Sequence, residues 1–300
     1  MGLEQHRNDQ EAFTVDEYDQ MSSTETNGEA RIPICFCIDT SSSMGNIIAG
    51  DWIEIGNNRV VDGERVVSIR QKPGGRPLVS RLDELKRVLR QLIIKLKMNS
   101  RTRNAAVVSM ITFDEFADCI MEFRDVEAVD MNKISRLRCG VDKTSLVRGI
   151  RMSLERIESL NRMNESYGNH TYRPILVILS DGLPTDPANA LNEMRAMVRK
   201  LTEDNDLYVM PIGIGNDFNP EHLRKFSGEG KVYTMKNEED FDLIFDRIEH
   251  TVSWVSQGIV NEIYDYNQAG VQEEDGVINT SIGTDIPVIT LEEFADMDDE

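Results

Sequence analysis

Two short, uninterrupted apolar runs, each ending in an aspartate, constrain the fold of this chain more than any other feature of its sequence. They are IPICFCID, residues 32–39, and PILVILSD, residues 174–181. A strand that is apolar at every position is typical of a parallel sheet covered on both faces. We therefore expect both runs to be central strands of such a sheet, with an aspartate at the carboxyl end of each.

Amphipathic helices alternate with further strand-like segments along the chain. Strands that alternate with helices of this length favour parallel pairing through right-handed crossovers. The exception is a pair of strand-like segments at 105–113 and 117–123, whose three-residue separation predicts an antiparallel hairpin. The predicted fold is α/β, with a doubly wound, mostly parallel central sheet, helices on both faces and one antiparallel edge strand. The first helix is predicted to bury a stripe formed by Leu82, Leu85, Leu89, Leu92, Ile93 and Leu96.

The net charge of −20 is concentrated at the two ends of the chain. Residues 1–30 contain eight acidic residues and one basic residue, and residues 261–300 contain twelve acidic residues and no basic one. We expect a disordered acidic arm over 1–30, a domain over 31–258 and an acidic tail over 259–300. Because the body between the ends is nearly neutral, it has no basic face for phosphates, and this argues against nucleic acid as a partner.

An irregular stretch over 46–77 separates the first strand from the first helix. It contains the turn signals Asn57-Asn58, Asp62-Gly63 and Pro73-Gly74-Gly75, which predict an inserted β-meander. The insert directly follows the first aspartate loop, so it should lie at the rim of any site built there. We expect it to determine the choice of partner, and the alternative is a tolerated surface loop.

The sequence gives no sign of secretion or of a membrane span. No apolar run approaches the roughly 20 residues that a spanning helix needs, and the first residues lack the pattern of a secretory signal. The four cysteines have no metal-ligand spacing and are expected to be buried, reduced thiols. These features predict a cytoplasmic protein with no membrane partner.

Oxygen-bearing side chains follow the ends of the two central strands. The first strand leads into a D-x-S-x-S sequence, the second ends in Ser-Asp-Gly, and a threonine precedes the second predicted helix. Each group alone is typical of a turn or a helix cap, but the carboxyl ends of parallel strands meet at one edge. Together they predict a Mg²⁺ site with a coordination position open to an external carboxylate, and Mn²⁺ or Ca²⁺ are alternatives. The candidate ligands are Asp39, Ser41, Ser43, Thr144 and Asp181.

Four segments resemble the metal-ion-dependent adhesion site of von Willebrand factor A (vWA) domains and its flanks. They are IDTSSSM, KTSL before a helix, ILSDGLPTD and PIGIGNDFNPEHLRKFSG, and the resemblance covers about residues 31–256. It implies a Rossmann-like fold in which the first loop supplies Asp39, Ser41 and Ser43, the second supplies Thr144, and the third supplies Asp181. Two positions depart from the family: Ser42 replaces a frequent glycine, and Lys143, which we expect to face solvent, stands where glycine or alanine usually precedes the threonine.

Within this family the chain is most similar to the bacterial TerY-like group, which is associated with tellurium resistance and stress. The similarity lies in YRPILVILSDGLPTD and in the ending FDLIFDRIEHTVSWVSQ. It implies a non-enzymatic scaffold that holds an acidic group of a partner protein through Mg²⁺. Partners implied by the resemblance are a serine/threonine kinase and a PP2C-type phosphatase.

Two other classes of function compete with this interpretation. A metal-dependent hydrolase or phosphotransferase is disfavoured because haloacid-dehalogenase-like enzymes need an aspartate where Ser41 stands, and no histidine lies near a motif. No glycine-rich phosphate loop is present either. A scaffold with a vestigial, metal-independent site remains open. A separate hypothesis is that the acidic tail, ending ITLEEFADMDDE, lends a carboxylate to the metal.

Overall fold

The computed structural model describes the body of the chain and two short segments near its carboxyl end. The predicted acidic arm, the segment FDLIFDRIEHTVSWVSQ and most of the predicted tail lie outside the described residues. The described residues are 31–55, 59–61, 64–66, 68–141, 143–167, 171–181, 184–214, 220–227, 232–235, 273–274 and 277–278.

Short strands and helices alternate through most of the described chain. The strands are β1 Ile32–Asp39, β2 Ile47–Ala49, β3 Trp52–Glu54, β4 Arg59–Val61, β5 Glu64–Val66, β6 Ile69–Gln71, β7 Val79–Ser80, β8 Ala106–Phe113, β9 Ala117–Asp125, β10 Ile175–Ser180, β11 Tyr208–Ile214, β12 Val232–Met235, β13 Glu273–Glu274 and β14 Val277–Ile278. The helices are α1 Arg81–Met98, α2 Ser100–Ala105, α3 Met131–Ser135, α4 Leu146–Ser166, α5 Ala188–Glu203 and α6 Pro220–Arg224.

The central sheet has six main strands in the order β12-β11-β10-β1-β8-β9. All pair in parallel except β9, which is antiparallel to β8 at the edge. This confirms the predicted mostly parallel sheet with an antiparallel edge strand. The two-residue strands β14 and β13 continue the sheet beyond β12, so part of the predicted tail contributes to the sheet beyond the expected domain end at residue 258.

Strand β1 lies at the centre of the sheet, and this position explains its apolar sequence. All eight of its residues are buried. Ile34, Phe36 and Ile38 pack into a core with α1, whereas Cys35 and Cys37 pack into a second core with α4 and α5. Because both faces of the strand are covered, every position must be apolar until the chain reaches the edge of the sheet.

The helices cover the sheet with the faces that their sequences predict. Every residue of the predicted α1 stripe is at most 2% exposed. In α4 the apolar residues Leu146, Ile150, Ile157 and Leu160 are buried, while Leu154 is only partly covered. Within the described part of the chain, we find no helix whose length and hydropathy would allow it to span a bilayer.

The insert is a nested two-stranded ribbon, and the predicted meander is wrong. Three successive antiparallel pairs, β2 with β7, β3 with β6 and β4 with β5, form one ladder after another along the ribbon. Among the described residues of the insert, the strand order reverses between Val61 and Glu64, which pair with each other. The turn signal at Asp62-Gly63 is typical of a two-residue hairpin, whereas the signal at 73–75 lies within the returning half of the ribbon.

The four cysteines are free, but they are not all buried as expected. Cys35 and Cys37 are buried in the central strand, and burial raises the pKa of the Cys35 thiol to about 12. Cys119 is half-buried, because it lies on the edge strand β9, and Cys139 is exposed in the loop before α4. The expectation therefore holds for the central strand alone.

Gly149 sets how closely α4 approaches the sheet. A Cβ atom at this position would lie 2.6 Å from Cδ1 of Phe113 and 2.9 Å from Sγ of Cys37. Both neighbours are at most 1% exposed, so neither can move aside without disturbing the core. We predict that Gly149→Ala destabilises the fold by about 1–2 kcal/mol, because overpacking outweighs the gain in helix propensity of roughly 1 kcal/mol.

Urea denaturation of Gly149→Ala measures this effect. The matched control is Arg151→Ala, a substitution on the exposed face of the same helix, which should change the free energy of unfolding by less than about 0.5 kcal/mol. A stabilised Gly149→Ala variant would show that α4 does not depend on this close approach.

Candidate functional site

The candidate site lies where the carboxyl ends of three adjacent parallel strands meet. Strand β1 pairs with β10 on one side and with β8 on the other. The chain proceeds from β1 to β8 on one side and later returns to β10 on the other, so the strand order reverses at β1. Open α/β sheets bind ligands in the crevice at such a reversal. Asp39 ends β1 and Asp181 directly follows β10 at this crevice.

The first loop turns its two serine hydroxyls toward the second aspartate. The backbone N–H of Ser41 donates to Oδ1 of Asp39 at 2.8 Å, and a single 3-10 turn follows over Ser42–Gly45. The hydroxyls of Ser41 and Ser43 lie 3.0 Å apart, and that of Ser43 donates to Oδ1 of Asp181 at 2.8 Å. The structure therefore brings together four of the five predicted ligands through direct hydrogen bonds.

Asp39 is a fully buried carboxylate at the end of β1, where it faces the end of β10. Burial raises its pKa to about 6, and the nearby charge of Asp181 acts in the same direction. Hydrogen bonds from Ser41 and Ser180 oppose this shift, and the Ser180 hydroxyl donates to Oδ2 of Asp39 at 2.6 Å. Two buried acidic groups thus lie close enough to repel each other, an arrangement that favours a bound cation.

Asp181 forms a buried ion pair with Arg81, a residue that sequence analysis did not select. Nη1 of Arg81 donates to Oδ2 of Asp181 at 2.6 Å, and the two side chains are 8% and 0% exposed. Arg81 is the first residue of α1, and its backbone N–H donates to the carbonyl of Asn46 at 3.0 Å. The ribbon separates Arg81 from the first loop in sequence, so no motif spacing marks it.

Thr144 is joined by its backbone to Thr185, in the loop that follows Asp181. Its N–H donates to the hydroxyl of Thr185 at 3.2 Å, and its carbonyl accepts from the N–H of Thr185 at 2.9 Å. Asp186 reinforces this contact because its carboxylate accepts from the Ser145 hydroxyl at 2.6 Å and from the Val147 N–H at 3.1 Å. Thr144 is 6% exposed, and the backbone bonds hold it beside the loop that carries Asp181.

The departures from the family pattern leave the site intact. Lys143 is exposed and forms an ion pair with Glu115, which confirms that it faces solvent. Ser42 is also exposed, and its N–H donates to the carbonyl of Val141 at 3.1 Å. Neither side chain fills the space between the two buried aspartates.

Asp114 is a third acidic residue at this edge that sequence analysis did not identify. It directly follows β8, so the rule that gathers strand ends could have found it. Its carboxylate accepts from the N–H groups of Phe116 at 2.9 Å and Val141 at 3.4 Å, and its carbonyl accepts from the N–H of Ser145 at 2.6 Å. Asp114 therefore holds the second loop against the sheet.

An apolar and basic rim borders the site on the side of this loop. Phe116 and Val141, both anchored by Asp114, are 65% and 48% exposed. The guanidinium of Arg148 lies 5.4 Å from the centre of the Phe116 ring. Large apolar side chains exposed beside a polar crevice are typical of a protein-binding surface.

The donor set of the site is made of hard oxygen atoms. Two carboxylates are supplemented by serine and threonine hydroxyls, as Mg²⁺ prefers when it keeps several waters. Among the described residues, no group of three or more His, Cys, Asp or Glu side chains is placed to hold a metal. The chemistry of the candidate residues, two carboxylates and three hydroxyls, fits a hard cation that retains water ligands.

Comparison with known proteins identifies the family. The family model of the von Willebrand factor type A domain matches residues 73–247, which is more than half of the chain. The chain belongs to the von Willebrand factor type A domain family. The match begins inside the ribbon, so the first loop of this vWA domain lies outside the matched range and is brought to the site by the pairing of β1.

Solved structures that align with this chain include two pilus proteins and a byssus matrix protein. The vWF domain of the type V pili tip protein Mfa5 from Porphyromonas gingivalis aligns with a TM-score of 0.51 and 11% identity, over 79% of this chain and 99% of that chain. The PilB minor pilin from Streptococcus sanguinis aligns with a TM-score of 0.47 and 18% identity, over 78% and 63%. Proximal thread matrix protein 1 from the mussel byssus, solved with a zinc-occupied MIDAS motif, aligns with a TM-score of 0.48 and 16% identity, over 75% and 48%.

The likeness to the vWF domain of Mfa5 shows a shared fold. The chain spans about half the length of the mussel byssus structures that it matches. No curated protein sequence matches it.

The raised pKa of Asp39 predicts how this vWA domain responds to pH without metal. An acid whose pKa rises from 3.8 to about 6 on folding destabilises the fold above pH 6, and this penalty disappears as the pH falls through 3.8. Asp39→Asn should therefore stabilise the metal-free protein at pH 7, by at most about 3 kcal/mol. At pH 4 the variant should have nearly the same stability as the parent protein.

Urea denaturation in EDTA at both pH values tests this prediction. The matched control is Asp118→Asn, which replaces an exposed aspartate on β9 and should change little at either pH. An Asp39→Asn variant less stable than the parent at pH 7 would contradict a penalty from the buried charge.

Proposed function

We propose that this vWA domain is a non-enzymatic protein-interaction module that binds Mg²⁺ and uses it to hold an acidic group of a partner. The observation that carries the proposal is the hydrogen-bonded group of Ser41, Ser43 and Asp181 beside the buried Asp39. A polar cluster of this kind at the strand-order reversal is suited to a cation and unsuited to a packed core. The proposed ligands are Asp39, Ser41, Ser43, Thr144 and Asp181.

Each proposed ligand has a distinct part. Asp39 and Asp181 supply the negative charge, whereas Ser41, Ser43 and Thr144 supply neutral oxygens. Since the Ser43 hydroxyl donates its proton to Asp181, its lone pairs remain available to a cation. A bound Mg²⁺ would offer a positively charged coordination position to an incoming carboxylate, and Mn²⁺ or Ca²⁺ could serve the same role.

The rim beside the site supports an acidic protein partner. Phe116 and Val141 offer apolar contact area, and the guanidinium of Arg148 stands over the Phe116 ring. A partner segment in which an aspartate or glutamate adjoins an apolar residue would bind the metal through its carboxylate and contact the rim through its apolar side chain. Electrostatic attraction would fix its orientation, and the apolar contact would supply affinity.

The ribbon is the second proposed contact surface. It leaves the body directly after the first loop. Trp52 and Ile53 on β3 are 47% and 36% exposed, and Ile55, directly after β3, is 51% exposed. Because side chains alternate between the two faces of a strand, Ile53 and Ile55 share one face of the ribbon and Trp52 lies on the other. We propose that these exposed side chains determine which acidic partner binds.

The biological setting is proposed from sequence resemblance. The segment YRPILVILSDGLPTD resembles the TerY-like group, so we propose a cytoplasmic scaffold in a bacterial stress response. The proposed partners are a serine/threonine kinase and a PP2C-type phosphatase. Phosphatase or phosphotransferase turnover by the purified chain with Mg²⁺ would instead support the hydrolase class.

The metal proposal predicts a specific loss of binding. Asp39→Asn removes one charge while keeping the size of the side chain, so Mg²⁺ affinity at pH 7 should fall at least tenfold. Asp181→Asn should have the same effect, with an added loss of stability because Arg81 loses its charged partner. Isothermal titration calorimetry with MgCl₂ measures both, and Asp118→Asn is the control. Unchanged Mg²⁺ binding in both variants would rule out this site.

The ribbon proposal predicts a loss of partner binding without a loss of metal. Replacing Trp52, Ile53 and Ile55 by serine should weaken binding of a purified candidate kinase or phosphatase at least tenfold while leaving Mg²⁺ affinity within twofold. Surface plasmon resonance, run with and without EDTA, measures how partner binding depends on the ribbon residues and on the metal. A matched triple substitution at the exposed Ile94, Met98 and Met197, on helices of the body, controls for lost apolar surface. Full partner binding by the ribbon variant would make the ribbon a tolerated surface insert.

A further inference from the structure

Arg81 places a permanent positive charge inside the proposed metal site. Its guanidinium lies 2.6 Å from Oδ2 of Asp181, and its Nη1 also lies 3.5 Å from the carbonyl oxygen of Ser43. The arginine side chain is 8% exposed and the aspartate side chain is 0% exposed. A guanidinium stays protonated at every physiological pH, so this charge cannot be removed by titration.

The ion pair satisfies the same carboxylate that the cation requires. Oδ1 of Asp181 accepts from the Ser43 hydroxyl and Oδ2 accepts from Arg81, so both oxygens already have donors. A buried carboxylate without such a partner would carry a large desolvation penalty, especially beside Asp39. Arg81 therefore lowers the free energy of the metal-free fold, and a divalent cation beside Asp181 would lie close to a like charge.

The ribbon fixes the position of this arginine. The base of the ribbon is closed by the pairing of Ile47 with Ser80, and the N–H of Arg81 donates to the carbonyl of Asn46 at 3.0 Å. Asn46 follows the first loop and Ser80 caps α1 through its hydroxyl, which accepts from the N–H of Asp83. Strand pairing and this hydrogen bond therefore hold the first loop, the base of the ribbon and Arg81 next to one another in space.

We propose that Arg81 competes with the divalent cation for Asp181 and so weakens metal binding at this site. The inference rests on the proposed function, since it assigns a role to Arg81 at the same cation site. In the metal-free protein the guanidinium neutralises Asp181. When the cation binds, this ion pair weakens, and the energy needed to weaken it reduces the affinity for the metal. Arg81 acts through Asp181 and lowers the affinity for the cation without being a ligand.

The opposite role is also chemically reasonable and predicts the opposite sign. Groups around a metal site often hold a ligand in position, and their removal weakens metal binding. If Arg81 serves only to orient Asp181, its substitution must lower Mg²⁺ affinity. If it competes with the cation, its substitution must raise that affinity. The direction of the change therefore separates the two roles.

Two substitutions at Arg81 and one matched control test the proposal on the full chain. Arg81→Gln removes the charge, and Arg81→Lys keeps a charge but loses the planar guanidinium. The control Arg87→Gln breaks a different ion pair on α1, with the buried Glu84, and leaves the site untouched. Calorimetric titration with MgCl₂ gives the dissociation constant, and thermal unfolding in EDTA gives the metal-free stability.

The expected order of Mg²⁺ affinity is Arg81→Gln, then Arg81→Lys, then the parent protein, with at least a tenfold gain for the glutamine variant. The melting temperature in EDTA should fall for Arg81→Gln and for Arg87→Gln, but only Arg81→Gln should gain Mg²⁺ affinity. If Arg81→Gln does not fold, tighter Mg²⁺ binding by Arg81→Lys than by the parent protein would support competition in the same way.

Two outcomes would overturn the proposal in distinguishable ways. Equal or weaker Mg²⁺ binding by the Arg81 variants, with clear binding by the parent protein, would reject competition and leave the proposed metal site standing. Absence of Mg²⁺ binding at millimolar concentrations in the parent protein and in all variants would reject the metal site, and the role of Arg81 with it.

Discussion

The parallel pairing of β1 with β8 and β10 is the constraint on which the rest of the structure depends. Covered on both faces, β1 must be apolar until it reaches the sheet edge, so its first polar side chain, Asp39, appears where the neighbouring strands also end. The same pairing places Ser180 against Asp39 and brings Asp181 to the Ser43 hydroxyl. The packing that builds the core therefore also builds the site.

The site places two negative charges in a buried environment. Asp39 and Asp181 lie together with little access to water, and each raises the energy of the other when both are ionised. Arg81 partly balances this charge within the chain, and a divalent cation would balance it more fully. Buried ionisable groups with shifted pKa values are common at functional sites.

Much of the fold and of the site could be predicted from sequence. Continuous apolar runs identified β1 and β10, and because parallel strand ends meet at one edge, the proximity of Asp39, Ser43 and Asp181 followed. The form of the ribbon could not be predicted, since three turn signals do not show which one reverses the chain. Arg81 was beyond sequence reasoning because it meets Asp181 across 100 residues through a contact that only the folded ribbon base creates.

The central claim is that the side-chain oxygens of Asp39, Ser41, Ser43, Thr144 and Asp181 form one cation site. The most direct test is a crystal structure of the full chain grown with MnCl₂. Anomalous scattering locates Mn²⁺ without assumptions about its ligands. The account predicts an anomalous peak bounded by Asp39, Ser41, Ser43 and Asp181, with Thr144 nearby. A well-ordered crystal with no peak at this edge of the sheet, or with its strongest peak elsewhere on the domain, would contradict it.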